Sequence, residues 1–323
     1  MLIRNATLAD GRVRDVRIEG ETIAEVDEEL ETTGDVYDVD GKLLLPGMID
    51  AHVHFREPGD SHKETWRTGS RSAAAGGVTT VVDQPNTDPP TIDRYGFEVK
   101  SRFTDASTVD YGINGGVTAE WDPDSLFEQP VFALGEVFLA DSTGEMGIDA
   151  DLYERAVELA DEADVPVTVH AEDETLFDES AKERDDPDAW SAFRTPEAEI
   201  EAIERACDVA RDLETTIHVA HTSTPKGVDI AVENGMTCEV TSHHLFLSRD
   251  DLDDLGTFGR MNPPLRDERR REQLYDRLVE WVGRHYREEL WPADLADPAL
   301  MNESRAALNE LSDILALRGL YGW

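Results

Sequence analysis

Hydrophobic positions along the chain change their spacing once, near residue 45. Before that point Leu2-Ile3, Val13, Val16, Ile18, Ile23 and Val26 alternate with polar residues, and Asp10-Gly11 and Glu19-Gly20 interrupt the alternation. Alternation broken by turn dipeptides predicts short strands. Residues 1–44 therefore read as a small β unit, too slight to hold a core alone. From Leu43 onward, short apolar runs alternate with longer stretches of helical spacing. Strands are predicted at residues 43–54, 78–84, 110–117, 131–139, 165–170, 216–221 and 237–242, with helices at 63–75, 92–104, 151–164, 196–212 and 225–234. This alternation predicts an α/β fold with parallel strands and helical crossovers. Strands that each end in a polar cluster argue for a barrel of the (β/α)8 type, here lacking its eighth strand. The barrel is placed at 45–278. Residues 279–323 read as a separate helical segment, with Ala306, Leu308, Leu311, Ile314, Leu315 and Leu317 at helix-like spacings.

The strand ends carry the candidate chemistry. The run Leu43, Leu44, Leu45, Met48, Ile49 reads as a buried strand that leads into Asp50, His52, His54 and Arg56. Alternation puts His52, His54 and Arg56 on one side, where two imidazoles can reach one cation. Gln84 to Thr87 end the second strand, and the fourth holds Glu136 in an otherwise apolar run. The fifth ends in His170-Ala171-Glu172-Asp173, the sixth in His218 and His221, the seventh in His243-His244. Histidines and carboxylates at one end of several strands suit an active site. A carboxylate buried at Glu136 needs a partner: a salt bridge to one of the plentiful arginines would serve, and a metal ion is favoured because neighbouring strands bring histidines. His218 and His221 lie three residues apart and should face opposite sides. His221 is assigned as the ligand, and one of the pair is expected to pack on the outer layer. His243 and His244 suggest packing or hydrogen bonding behind the ligands rather than ligation.

Composition narrows the setting. Acidic residues number 71 against 30 basic, a net charge of −41. Nucleic-acid binding is disfavoured, because phosphate needs clustered Lys and Arg. Recurring hydrophobic strands argue against disorder, so the acidity reads as a solvated surface suited to high internal salt. No apolar stretch is long enough for a membrane span, and MLIRNATLADGR lacks the features of a signal peptide. Cys207 and Cys238 are too few for a disulfide framework, so a cytoplasmic protein is expected.

The segments HVHFREPG (52–59), DQPNT (83–87), VHAED (169–173), HVAHTST (218–224), EVTSHH (239–244) and MNPPLR (261–266) resemble dihydroorotases of the cyclic amidohydrolase group. The resemblance runs from the first residues to about Leu278. It implies a metal-dependent barrel with a β-sandwich built from both chain ends. The implied reaction is the reversible cyclisation of N-carbamoyl-L-aspartate to L-dihydroorotate in pyrimidine biosynthesis, with one or two zinc ions. By the same resemblance His52 and His54 match ligands of a first ion, and His170 and His221 ligands of a second. Glu136 falls where relatives carry a bridging carboxylated lysine or aspartate. Arg56, Asn86 and Asn262, with His54, match groups that hold substrate, and Arg56 separates dihydroorotases from relatives acting on hydantoins or allantoin. Beyond Leu278 the resemblance ends. The family's eighth-strand Asp-His-Ala-Pro-His motif, whose Asp is ligand and acid-base, has no counterpart, so the catalytic residue is unknown. Three expectations follow: a dihydroorotase of reduced or no activity, a non-catalytic metal-binding or scaffolding relative, or a hydantoinase- or allantoinase-type hydrolase. The expected partner is a small-molecule substrate, with a second copy or a pathway enzyme as possible protein partners.

Overall fold

The computed structural model describes residues 1–142 and 145–289, with side chains to residue 281. Four strands near the N-terminus, β1 (Leu2–Thr7), β2 (Val13–Glu19), β3 (Thr22–Asp27) and β4 (Val36–Asp38), form one sheet in the order β3-β2-β1-β4. Leu2, Ala6 and Val16 are buried, while Ile23, Val26 and Tyr37 are exposed. Buried Asp15 accepts hydrogen bonds from the backbone of Asn5 (3.0 Å) and Leu30 (3.1 Å), which ties the loop after β3 to the sheet.

Seven parallel strands follow in chain order. β5 (Met48–Val53), β6 (Val78–Asp83) and β7 (Asp110–Ile113) make one group. β8 (Leu134–Phe138), β9 (Val167–His170), β10 (Ile217–Val219) and β11 (Thr237–Cys238) make the other. The groups join through backbone bonds from Phe132 N–H to Ile113 O (2.9 Å) and from Gly115 N–H to Ala133 O (2.9 Å). β5 and β11 are therefore the end strands of the described series. All five predicted helices are present, as Trp66–Ala75, Arg94–Ser101, Ala150–Glu162, Pro196–Asp212 and Pro225–Glu233.

Local sequence explains these helices. Thr195 caps the helix Pro196–Asp212 by accepting from Ala198 N–H, and Pro196 occupies a first-turn position that needs no donor. Ala198, Ala202, Ala206 and Ala210 recur every four residues and form one buried stripe with Ile203 and Cys207. The stripe packs on Val167 and Val169 of β9 and Ile217 and Val219 of β10, the main core of the molecule. A second core joins Phe55, Trp66, Val81, Phe97 and Ile113 around the β5–β7 group.

Three expectations are corrected. The apolar run at 43–49 is not a buried strand: β5 begins only at Met48, and Leu43, Leu45 and Met48 are exposed, with Ile49 69% exposed. The cause is position, since among the described residues β5 pairs on one side only, with β6. The seventh strand stops at Cys238, and Ser242–Phe246, which includes His243 and His244, is helical. His218 is not on an outer layer; its Nε2 lies 3.3 Å from Glu239 Oε2, behind the candidate ligands. Alternation fails between His218 and His221 because β10 ends at Val219 and His221 turns to a positive φ of 33°. The helical expectation for 279–323 is met as far as Glu289, within the helix Glu268–Glu289, and otherwise lies outside the described residues.

Candidate metal centre

Glu136 sits on β8, fully surrounded, and its two carboxylate oxygens face different histidine pairs. Oε2 lies 3.3 Å from Nε2 of both His52 and His54, which come from the end of β5. Oε1 lies 2.5 Å from His221 Nε2 and 3.5 Å from His170 Nδ1, which follow β10 and end β9. Two ligand trios result, His52–His54–Glu136 and Glu136–His170–His221, each with its ligand atoms within 4.8 Å of one another. The structure thus brings together all five residues expected to hold metal. The donor set also suits a cation: four imidazoles crowd one buried carboxylate, with His221 Nε2 as close as 2.5 Å to Glu136 Oε1. Imidazole nitrogens around a shared carboxylate match the ligand preferences of zinc and similar divalent ions.

At three of the four histidines the other ring nitrogen is occupied. His52 Nδ1 meets Glu239 Oε1 at 2.5 Å, His54 Nδ1 meets Asn86 Oδ1 at 2.8 Å, and His170 Nε2 meets Glu172 Oε2 at 2.9 Å. Carboxylate and amide oxygens only accept, so each holds a proton on the far nitrogen, and the nitrogen facing Glu136 is the one that would lend its lone pair to a metal. Arg194 in turn donates to Glu172 from Nε (2.8 Å). Burial raises the Glu172 carboxyl, but its bond to His170 and the nearby Arg194 charge outweigh this and bring it down to about 2. At His52, burial favours the neutral ring, yet Glu136 and Glu239 push it up to about 10, so a metal ion would have to displace the proton on Nε2. Glu136 itself stays well below the carboxylate range: burial opposes ionisation, but the histidines around it favour the charged form.

The backbone beneath the ligands is held as firmly. Gln84, just past β6, accepts Glu136 N–H (2.9 Å) and Asn114 Nδ2–H (3.2 Å) on Oε1, and donates to Ala51 O (3.3 Å). Asp83 accepts Phe55 N–H (2.7 Å), between His54 and Arg56, and pairs with Lys100 at 2.7 Å, both side chains fully buried. Glu199, in the first turn of Pro196–Asp212, accepts the backbone N–H of Ser223 and Thr224 and fixes the loop after His221. Gly135 has φ +144°, and a Cβ there would overlap Thr168 on β9. Close approach of β8 to β9 at this point needs glycine.

A cavity of about 820 Å³ opens above Glu136, lined among others by Arg56, Asn86, Trp190, His243 and Asn262. Arg56 Nη1 is buried there with no hydrogen bond among the described residues. Asn86 reaches the cavity but spends its side-chain oxygen on His54. Asn262 is clasped from both sides: Trp190 Nε1 donates to its Oδ1 (2.9 Å), and its Nδ2 donates to Ser142 Oγ (2.9 Å). His243 and His244 share Thr241 Oγ1 at 2.8 Å each, and buried His244 Nε2 meets Pro263 O at 3.0 Å, whereas His243 lines the cavity itself. Burial, then the charges of His221 and His52, lowers His243 to about 4. No aspartate lines the cavity among the described residues. Sequence reasoning gave no role to Glu239, Glu172 or Gln84. Glu172 stands two residues after His170, a spacing that hints at a shared face; Glu239 and Gln84 carry no such signal.

Comparison with known proteins agrees with this geometry. Residues 41–226 match the family profile described as dihydro-orotase-like, and a short segment, 266–323, matches that of succinylarginine dihydrolase. The chain is 63% identical over 283 residues to a dihydroorotase of Halobacterium salinarum, covering 86% of this chain and 66% of that one. It is 42% identical to a dihydroorotase of Methanosarcina acetivorans, covering 72% of this chain and 53% of the relative. An allantoinase of Salmonella choleraesuis is 33% identical, with 86% and 66% covered. Among solved structures, an L-hydantoinase from Arthrobacter aurescens superposes with a TM-score of 0.79 at 24% identity, covering 86% of this chain and 66% of that one. A D-hydantoinase from Thermus sp. gives 0.74 at 27% identity, with 86% and 66% covered. The chain spans between about half and just under two thirds of the length of these curated relatives. With more than half of its length matched by the profile and its histidines gathered around one carboxylate, the chain belongs to the dihydroorotase-like family.

Proposed function

We propose that this chain carries the metal- and substrate-binding part of a dihydroorotase, which interconverts N-carbamoyl-L-aspartate and L-dihydroorotate. The observation that carries the reading is Glu136, with one oxygen toward His52 and His54 and the other toward His170 and His221. The seven parallel strands are read as the wall of a (β/α)8-type barrel at 45–278, and residues 1–44 as part of a β-sandwich. A cytoplasmic location goes with this reading.

His52, His54 and Glu136 would hold one ion, and Glu136, His170 and His221 a second, zinc being the first choice. Such ions supply Lewis acidity to a carbonyl oxygen and acidify water at neutral pH. Arg56 presents a buried, unsatisfied guanidinium nitrogen toward the cavity and would bind the carboxylate that both substrates keep. Asn262, fixed by Trp190 and Ser142, would orient the polar edge of the substrate. A planar guanidinium at this place favours a carboxylate-bearing substrate over the hydantoins or allantoin of other relatives.

No aspartate lines the cavity among the described residues, which favours a second reading: metal and ligand binding with little turnover. General acid–base catalysis by a positioned group contributes about 10²–10⁴ in rate. Two measurements on the 323-residue protein separate the readings. Elemental analysis after reconstitution should find close to two equivalents of divalent metal; under about a tenth of an equivalent would end the metal reading. An assay in high salt with zinc, followed in both directions, should show turnover far below that of a full-length relative. Turnover within tenfold of that relative would refute the low-activity reading and leave the dihydroorotase assignment standing.

A further inference from the structure

We infer that Glu239 is a positioning residue that couples the two halves of the metal centre across the gap between β11 and β5. The inference rests on the metal reading above. Among the described residues β11 and β5 share no backbone ladder, being the two ends of the parallel series. Glu239, just past β11, reaches across that gap with its side chain. Its Oε1 meets His52 Nδ1 at 2.5 Å and also accepts the backbone N–H of His221 at 3.1 Å. Its Oε2 faces His218 Nε2 at 3.3 Å, and His218 Nδ1 meets Thr237 Oγ1 at 2.9 Å, which braces the carboxylate from behind.

Each contact bears on a different trio. Through His52, Glu239 sets the ring tautomer, with the proton on Nδ1 and the lone pair of Nε2 aimed toward Glu136. Through His221 it holds a backbone at φ 33°, a conformation that non-glycine residues seldom adopt unless something fixes it. Loss of this one carboxylate should therefore disturb both ions. A residue that only braced one strand would not have that effect.

The test is cobalt titration of metal-free wild type, Glu239→Ala and Glu239→Gln, followed by visible absorption, with thermal unfolding of the metal-free proteins alongside. Wild type should take up two equivalents. Glu239→Ala should bind both ions about 10–100-fold more weakly, the range found when such supporting groups are removed. Its cobalt spectrum should also change shape, because ligand geometry changes. Glu239→Gln keeps an oxygen for His52 Nδ1–H and should recover much of the lost affinity; it serves as the folded comparison if the alanine variant does not fold. Wild-type affinity and spectrum in Glu239→Ala would overturn the inference alone. So would a glutamine variant no better than alanine, or, where alanine does not fold, one that binds both ions about 100-fold more weakly than wild type. No uptake by wild type would bring down the metal reading and this inference with it.

Discussion

At the scale of single residues, Arg56 is the group proposed to select the ligand. Its side chain lines the cavity, Nη1 makes no hydrogen bond among the described residues, and burial lowers its affinity for a proton. A half-buried guanidinium with one buried, unpaired nitrogen suits an anion. Arg56→Lys keeps a charge but loses the planar pair of donors that a carboxylate uses. The change should cost about 1.5–3 kcal/mol of binding, roughly a tenfold to hundredfold weakening. Calorimetric titration of dihydroorotate into both proteins checks this, and equal affinities would mean that the cavity serves another ligand. Arg56 and the four candidate histidines could be picked out from the sequence because each stands at or just past a strand end, and Glu136 because it is a carboxylate inside an apolar run. Glu239 could not. Its role depends on β11 and β5 lying next to each other, and no local pattern around residue 239 carries that information. Asn86 shows the reverse case, for a residue expected to hold substrate is found bonded to a histidine as well.

At the scale of elements, the site depends on how β6 and β8 are fixed. Asp83 at the end of β6 and Lys100 in the helix Arg94–Ser101 form an ion pair with no exposed side-chain surface, and Asp83 also grips the peptide between His54 and Arg56. Lys100→Met should leave Asp83 charged, buried and unpaired, at a cost of about 3–5 kcal/mol. Asp83→Asn combined with Lys100→Met removes both charges and should recover part of that loss. Urea unfolding of the three proteins reads the difference, and a single variant as stable as the double would show that the pair contributes little. On β8, Gly135→Ala would drive a methyl group into Thr168 at a φ that disfavours alanine. A cost of about 1–3 kcal/mol is expected, the range for overpacking, with weaker metal uptake through the displaced Glu136. The order of strands and helices was legible because each buried face imposes its period on the sequence. The environment of β5 was not, since an apolar run states what the strand prefers and says nothing about which neighbours it has. The early end of β11 was hidden for a similar reason: His243 and His244 continue a polar strand end equally well as a helical turn.

At the scale of the molecule, charge dominates. A net charge of −41 on 323 residues means that acidic groups repel one another more strongly in the compact state than in the expanded one. Exposed ion pairs such as Arg184–Asp186 and Arg155–Glu158 offset little of this, because each is worth only about 0–1 kcal/mol and weakens with salt. Screening acts on both effects. Raising salt from 0.1 M to 1 M shortens the screening length from about 10 Å to about 3 Å, which removes most repulsion between surface carboxylates. Since 71 acidic residues face 30 basic ones, relief of repulsion should outweigh the loss of surface pairs. The buried pairs, Asp83–Lys100 and Glu172–Arg194, lie away from solvent ions and should hardly respond. The unfolding midpoint is therefore expected to rise steadily from 0.1 M to 3 M KCl. A matched series in sucrose separates screening from general exclusion at the surface, since sucrose carries no charge. A midpoint that ignores KCl, or that climbs equally in sucrose, would show that repulsion does not limit the stability of this fold.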